Sequence, residues 1–315
     1  MIDRVINGEN QLLLNDQPVY WTHTKGTTGE SKFFPCLPSY LSNFVTGYRR
    51  AIYSYSIFNN DYDWLSGKRL SLSSSGNLGK MGNPELSYGY SASVAIGFLD
   101  KINGLPDVIP SQEELDVIHG ESTKDVWEKR YDFAFQKAKN SKITHLTTAP
   151  NVLIGFAEYI KKVHNVYPKD VWEIKLIITG GAPGGNTHLA PSIEALFGKK
   201  VNIREIYIST EGMYGAQMDE KSAWCPLYDL TFLEVQTING IKQLHDMYPG
   251  EIGSLIISND YLPRYRTNDL ILAFEPPYFR CIGREYTKLH PYSFGELKGK
   301  SALVLDESKN LPSWR

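Results

Sequence analysis

Residues 143–208 alternate between two hydrophobic periods, and this alternation constrains the fold more than anything else in the chain. Residues 143–148 read as a strand and 152–163 as a helix. Residues 174–179 read as a strand, a short helix capped by Thr187 runs to Phe197, and 201–208 read as a strand again. Strand, helix, strand, helix, strand implies right-handed crossovers and a mostly parallel sheet flanked by helices. Ligands of such sheets bind beyond the carboxyl ends of the strands. Three polar clusters fall there: Thr147-Thr148, Gly180-Gly181-Ala182 and Ser209-Thr210-Glu211.

The flanking segments fill in an α/β chain. Residues 39–57 carry Leu41, Phe44, Val45, Tyr48 and Ile52 at helical spacing, and 69–72 read as a buried strand. Short strands are expected at 12–14 and 19–21, around the Asn15-Asp16 turn. Ser122 or Thr123 caps a helix with Trp127, Tyr131, Ala134, Phe135 and Ala138 on one face. Residues 77–120, rich in Gly, Ser, Asn and Pro, resist assignment and suit the lining of a site. From 232 to 272 the pattern alternates between Gly and Pro turns, which predicts a second, antiparallel or mixed sheet region, and 279–285 read as a strand and turn.

Composition excludes several function classes. A net charge of -2 over 315 residues gives no whole-chain attraction to nucleic acid or an anionic membrane, and no run is long and apolar enough to span a bilayer. The first residues carry acidic side chains and no long apolar core, unlike a signal peptide. Cys36, Cys225 and Cys281 are scattered and odd in number, which suits reduced thiols in the cytoplasm and offers no zinc spacing.

The stretch TKGTTGESK, Thr24 to Lys32, has the chemistry of a phosphate cradle. Gly26 and Gly29 permit unusual backbone angles, and the hydroxyls of Thr24, Thr27, Thr28 and Ser31 can donate to anionic oxygens. Lys32 adds a positive charge. The Walker spacing is not met, because Lys32 is followed by Phe33 and Phe34. Alone, the stretch reads equally as a polar surface turn.

Four segments stand in a diagnostic order: TKGTTGESK, ITGGAP, YISTEG, and YRTND with CIGRE after it. This order resembles the adenylate-forming superfamily of acyl-CoA synthetases, peptide-synthetase adenylation domains and firefly luciferase. Within it, GTTGESKFFP, YISTEGMYGAQ and GREYTKLHPYSFGEL resemble the acyl-acid amido synthetases, the auxin-responsive Gretchen Hagen family with its bacterial members. The resemblance implies an ATP- and Mg²⁺-dependent ligase in which Thr24, Gly26, Thr27, Thr28, Gly29 and Lys32 hold the β- and γ-phosphates. Gly180, Gly181 and Ala182 would form a flat wall against adenine, with Tyr207 stacking nearby. Thr210 would bind the α-phosphate and Glu211 the metal. Asp269 would accept both ribose hydroxyls, and Arg284 would bind ribose or phosphate oxygens near the hinge. Tyr88, Tyr90 and Thr148 are the expected walls of an acyl pocket for a small carboxylic acid.

Each residue also has a plain structural reading. Glu211 suits a helix N-terminus, Asp269 suits a pair with Arg266, and Gly180-Gly181 suits a strand-to-helix turn. His23 is expected to pack, and His145 to be buried and hydrogen-bonded. Lys25 departs from the small residue usual in such loops. Asn268 replaces a glycine, a mild change because Asn tolerates left-handed angles. Family members carry on the order of a hundred residues before the loop and a similar lid after the hinge, each domain-sized. The expectation is therefore an adenylating core over 1–282, with 283–315 as hinge and lid remnant. A separate protein would supply the lid, or the chain would work without one. Three functions follow: adenylation with transfer to an amine, adenylation with transfer to the thiol of coenzyme A or a carrier protein, and nucleotide or acyl binding without turnover.

Overall fold

The computed structural model describes residues 2–9, 16–24, 32–102, 104–182 and 184–285. Seven strands form the central sheet, in the order β11-β10-β9-β8-β7-β3-β6. They are β3 (Lys68–Ser71), β6 (Val108–Ile109), β7 (Ile143–Thr148), β8 (Leu176–Thr179), β9 (Asn202–Ser209), β10 (Gly212–Ala216) and β11 (Cys225–Pro226). The run from β6 to β9 is parallel, and β10 and β11 add antiparallel at one edge. The crossovers are α3 (Ser91–Leu99), α5 (Lys124–Ala138), α6 (Pro150–His164) and α8 (Ala190–Phe197), with short helices α4 (Gln112–Asp116) and α7 (Pro168–Val171) between them, while α1 (Ile2–Ile6) and the long α2 (Pro38–Asn59) precede β3.

Helices cover both faces of this sheet. Ile177 and Leu146 point into a core closed by Phe135 of α5, Phe156 and Ile160 of α6, and Phe197 of α8. Leu176 and Ile178, one residue out of phase, point into the opposite core with Phe44, Tyr48 and Ile52 of α2 and Leu99 of α3. Burying each such side chain contributes about 1.5–3 kcal/mol, which is why residues on both sides of these strands are apolar. Sequence features also set the helix ends. Pro150 occupies the first turn of α6, and Asn165 ends it in the left-handed conformation at φ 57°. Gly47 lets α2 approach β10, since a Cβ there would meet Met213 Sδ at 2.4 Å.

The second sheet, β13-β12-β14-β15-β16, is antiparallel. Its strands are β12 (Phe232–Thr237), β13 (Gly240–Gln243), β14 (Ile252–Ser258), β15 (Tyr265–Ala273) and β16 (Phe279–Arg284). It shares a core with β9 and β10 through Tyr207, Tyr214, Trp224 and Phe279. A third sheet, β2-β1-β5-β4, was not expected; it consists of β1 (Tyr20–His23), β2 (Phe33–Cys36), β4 (Gly79–Met81) and β5 (Leu86–Tyr90). Among the described residues no helix is long and apolar enough to cross a membrane. The strand expected at 12–14 lies outside the described residues.

One helix start differs from expectation. Thr187 does not cap α8, which begins at Ala190 with a proline in its first turn. The buried carboxylate of Glu205 instead gathers the preceding turn, taking the N–H groups of Gly184 and Gly185 at 2.7 and 2.9 Å.

Candidate functional site

The phosphate-loop stretch begins and ends at an antiparallel pair, β1 with β2, whose last rung is His23 opposite Phe33. Its base is closed by two hydrogen bonds. Thr24 N donates to the Lys32 carbonyl, and Lys32 N donates to Thr24 Oγ1, both at 3.0 Å. Gly26, Thr27, Thr28 and Gly29 lie outside the described residues. Lys32 Nζ stands 5.9 Å from the centre of the Tyr265 ring, so the loop's end reaches the YRTND strand.

Thr210 and Glu211 form the tight turn between β9 and β10, with Ser209 opposite Gly212. Glu211 therefore heads no helix, which removes the helix-terminus reading. Ser209 Oγ donates to Glu211 Oε2 at 2.6 Å, and Asn259 Nδ2 donates to the Glu211 carbonyl at 2.7 Å. Thr210 Oγ1 lies 3.0 Å from Ser91 Oγ at the start of α3. Burial and the neighbouring Glu211 carboxylate push the Tyr265 hydroxyl up to about 12. Among the described residues no group of three or more His, Cys, Asp or Glu could hold a metal. A cation at Glu211 would thus take its other ligands from phosphates and water, the usual habit of Mg²⁺.

Asp269 sits opposite Arg284 across β15 and β16. Arg284 Nε donates to Asp269 Oδ1 at 2.9 Å, and the Tyr207 hydroxyl donates to Oδ2 at 2.6 Å. The expected alternative partner, Arg266, lies by Glu285 instead, at 3.8 Å. Burial raises the Asp269 carboxyl above its ordinary value, and the Glu211 charge adds to that while Arg284 opposes it. Asn268 takes φ 63°, as the Gly-to-Asn departure anticipated.

Gly180 and Gly181 follow β8 directly. A Cβ on Gly180 would meet Ile206 at 2.8 Å, and Gly181 has φ +73° with open space where its side chain would be. Gly180 is thus packed against β9, and Gly181 presents bare backbone on its open side. Tyr207 is buried, one face of its ring stacks on Trp224 at 4.7 Å and its hydroxyl donates to Asp269.

The acyl-pocket residues fall into two places. Tyr90 stacks on His23 at 4.4 Å, and Tyr88 meets the edges of His23 and Phe33 at 5.9 and 5.6 Å, all beside the loop base. Thr148 is on the central sheet, with its hydroxyl donating to the Leu72 carbonyl at 2.8 Å. His145 is fully buried, with Nδ1 donating to the Leu176 carbonyl at 3.0 Å and Nε2 2.8 Å from the Tyr48 hydroxyl. Sequence reasoning missed Ser91, Trp224, Glu205 and Arg280. None of these carries a local signal, because each acts across the fold.

Residues 1–95 match the model of the GH3 family N-terminal domain. No curated protein matches the chain at a significant level. Among solved structures, the AtGH3.15 acyl acid amido synthetase in complex with 2,4-DB aligns with TM-score 0.69 at 15% identity, covering 92% of this chain and 60% of that one. The chain has the adenylate-forming fold. An open conformation of 2-hydroxyisobutyryl-CoA ligase, in complex with 2-HIB-AMP and CoA, aligns with TM-score 0.58 at 13% identity, over 91% of this chain and 64% of that one. The chain thus spans less than two thirds of either protein. The resemblance carried by its ordered motifs agrees with both the family match and the fold.

Proposed function

We propose that the chain activates a small carboxylic acid with ATP and Mg²⁺ and passes the acyl group to an amine. A carboxylate oxygen of the acid attacks the α-phosphorus, the bond to the β-phosphate bridging oxygen breaks, and pyrophosphate leaves. The amine then attacks the acyl carbon, AMP departs, and the amine proton passes to solvent. Both reactants of the first step are anions, so alignment and charge neutralisation carry the catalysis. In this reading Thr24 and Lys32 border the polyphosphate with Gly26, Thr27, Thr28 and Gly29. Thr210 steadies the α-phosphate, Glu211 holds the metal, and Asp269 and Arg284 receive the ribose. Gly180, Gly181 and Ala182 face the base, while Tyr88 and Tyr90, with Thr148 further off, bound the acid. A requirement for ATP, together with free cysteines, favours the cytoplasm.

One observation carries the reading. Tyr265 lies between Lys32 and Glu211, on the strand that bears Asp269, so three segments far apart in sequence meet at one side chain. Such convergence has no packing purpose that three apolar residues would not serve better. The amine acceptor is favoured over a thiol by the family match at 1–95. ATP–pyrophosphate exchange over a panel of carboxylic acids tests the first step, and no exchange with any acid, with ATP bound, would leave a binding protein. Product analysis with amino acids or coenzyme A then identifies the acceptor.

A further inference from the structure

Glu205 and Arg280 are 0% and 1% exposed and form an ion pair at 2.7 Å, with Arg280 Nη2 donating to Glu205 Oε2. Nothing in the chemistry above uses them. A buried pair of this kind is weak evidence for stability, since apolar residues of similar volume often do as well. Its neighbours suggest what it does instead. Glu205 Oε1 accepts the N–H groups of Gly184 and Gly185, immediately after the Gly180-Gly181-Ala182 surface. The Arg280 guanidinium lies over the Trp224 ring at 5.0 Å, Trp224 stacks on Tyr207, and Tyr207 donates to Asp269. Arg280 shares strand β16 with Arg284, the other partner of Asp269. A continuous chain of contacts therefore runs from the glycine surface to the ribose-facing carboxylate through the junction of two sheets.

We propose that Glu205 and Arg280 are positioning residues that fix the spacing between the glycine surface and Asp269, and so set the affinity for the adenosine part of the nucleotide. The inference rests on the nucleotide reading of these residues given above. In the nucleotide reading the β- and γ-phosphates lie toward the loop that joins β1 to β2, strands of a different sheet, and none of the contacts just named runs through that sheet. Damage to the pair thus separates the two halves of the ligand.

Glu205→Gln keeps one oxygen for Gly184 and Gly185 but turns an amide N–H₂ toward Arg280, where donor faces donor. Glu205→Gln with Arg280→Met also removes the charge left unpaired, so it protects the fold where the single variant fails. Calorimetry with AMP and with inorganic tripolyphosphate is the measurement, after near-UV circular dichroism establishes that each variant is folded. AMP affinity is expected to fall at least tenfold in both variants, with tripolyphosphate affinity within twofold of wild type. Unchanged AMP affinity in a folded variant, or equal loss for both ligands, overturns the inference and leaves the nucleotide site standing. A wild type that binds tripolyphosphate but not AMP removes the adenosine site, and the inference with it. Should neither variant fold, hydrogen exchange on the wild type decides. Stronger protection of the Gly184 and Gly185 amides with AMP than with tripolyphosphate supports the coupling, and equal protection refutes it.

Discussion

Tyr48, His145 and Thr147 form one buried polar cluster, under the parallel strands; Tyr207, Asp269 and Arg284 form another, where β9 meets the antiparallel sheet. In the first, the hydrogen bonds turn inward. The His145 ring is spent on a strand carbonyl and a tyrosine, and both His145 and Tyr48 are 0% exposed. In the second, Arg284 keeps 41% of its side chain exposed while Asp269 keeps 13%, so the cluster opens to solvent at one end. A polar group that needs only satisfaction can be sealed, whereas a group that must receive a ligand has to keep a way in. Burial alone does not tell structural from functional polarity; the direction in which the hydrogen bonds close does.

The largest contrast is expected in nucleotide binding. Asp269→Asn keeps the shape and one acceptor but loses the charge that two ribose hydroxyls and Arg284 share. Hydrogen bonds to charged groups contribute roughly 1.5–3 kcal/mol each, so ATP affinity should fall about 10- to 100-fold by calorimetry. His145→Gln, in the sealed cluster, should leave it within about twofold. Equal losses in the two variants would erase the distinction between the clusters. The comparison reverses for stability. Tyr48→Phe removes the closer of two hydroxyls at His145 Nε2, leaving Thr147 Oγ1 at 3.2 Å, and should cost about 1–3 kcal/mol in urea unfolding, and Asp269→Asn should cost less because its cluster is partly solvated.

Much of this contrast was legible in the sequence. The order β7-α6-β8-α8-β9 follows from period alone, because strands buried on both faces and amphipathic helices leave different patterns. The burial of His145 followed from its place on such a strand. Thr210, Glu211, Asp269 and Arg284 were singled out through motif order, and the structure pairs the last two. Of the sheet of β1, β2, β4 and β5 only the strand expected at 19–21 was legible, the strands being three to five residues long and too short to show a period. The motif position of Tyr207 says nothing of Trp224, which covers one face of its ring. Glu205 and Arg280 were invisible because a buried charged residue and an exposed one look alike in a sequence.

A smaller effect concerns the metal. Glu211→Gln keeps the backbone contacts to Asn259 and Tyr261, so the turn should persist. The amide lacks the charge a hard cation needs. ATP affinity without Mg²⁺ should stay near wild type, and the additional affinity that Mg²⁺ confers, about tenfold at the lower end for one charge-assisted contact, should vanish. An undiminished Mg²⁺ effect in the variant would move the metal site elsewhere.

The smallest expected effect is a difference in pH slope, and here the two clusters should pull in opposite directions. Burial and the Arg69 charge push the His145 imidazole down to about 3, so it is neutral in the folded chain. Once unfolded it titrates near its ordinary 6.5. Between these values the unfolded state binds the extra proton, so the stability tied to His145 is present above pH 6.5 and drains away as pH falls toward 3. Asp269 is raised by burial, so its folded form holds a proton the unfolded form releases. Its contribution is present below the ordinary carboxylate range and is lost as pH rises through the folded value. Melting temperatures from pH 7 to 4 should therefore fall less steeply for His145→Gln than for wild type, and more steeply for Asp269→Asn. AMP affinity should separately weaken toward acid pH in wild type, because a protonated Asp269 no longer offers its ribose hydroxyls a charged acceptor. Parallel melting curves for all three proteins would mean that neither cluster titrates within this window. A shift of both variants in the same direction would mean that Tyr207 and Arg284 outweigh burial and hold the Asp269 carboxyl below its ordinary value.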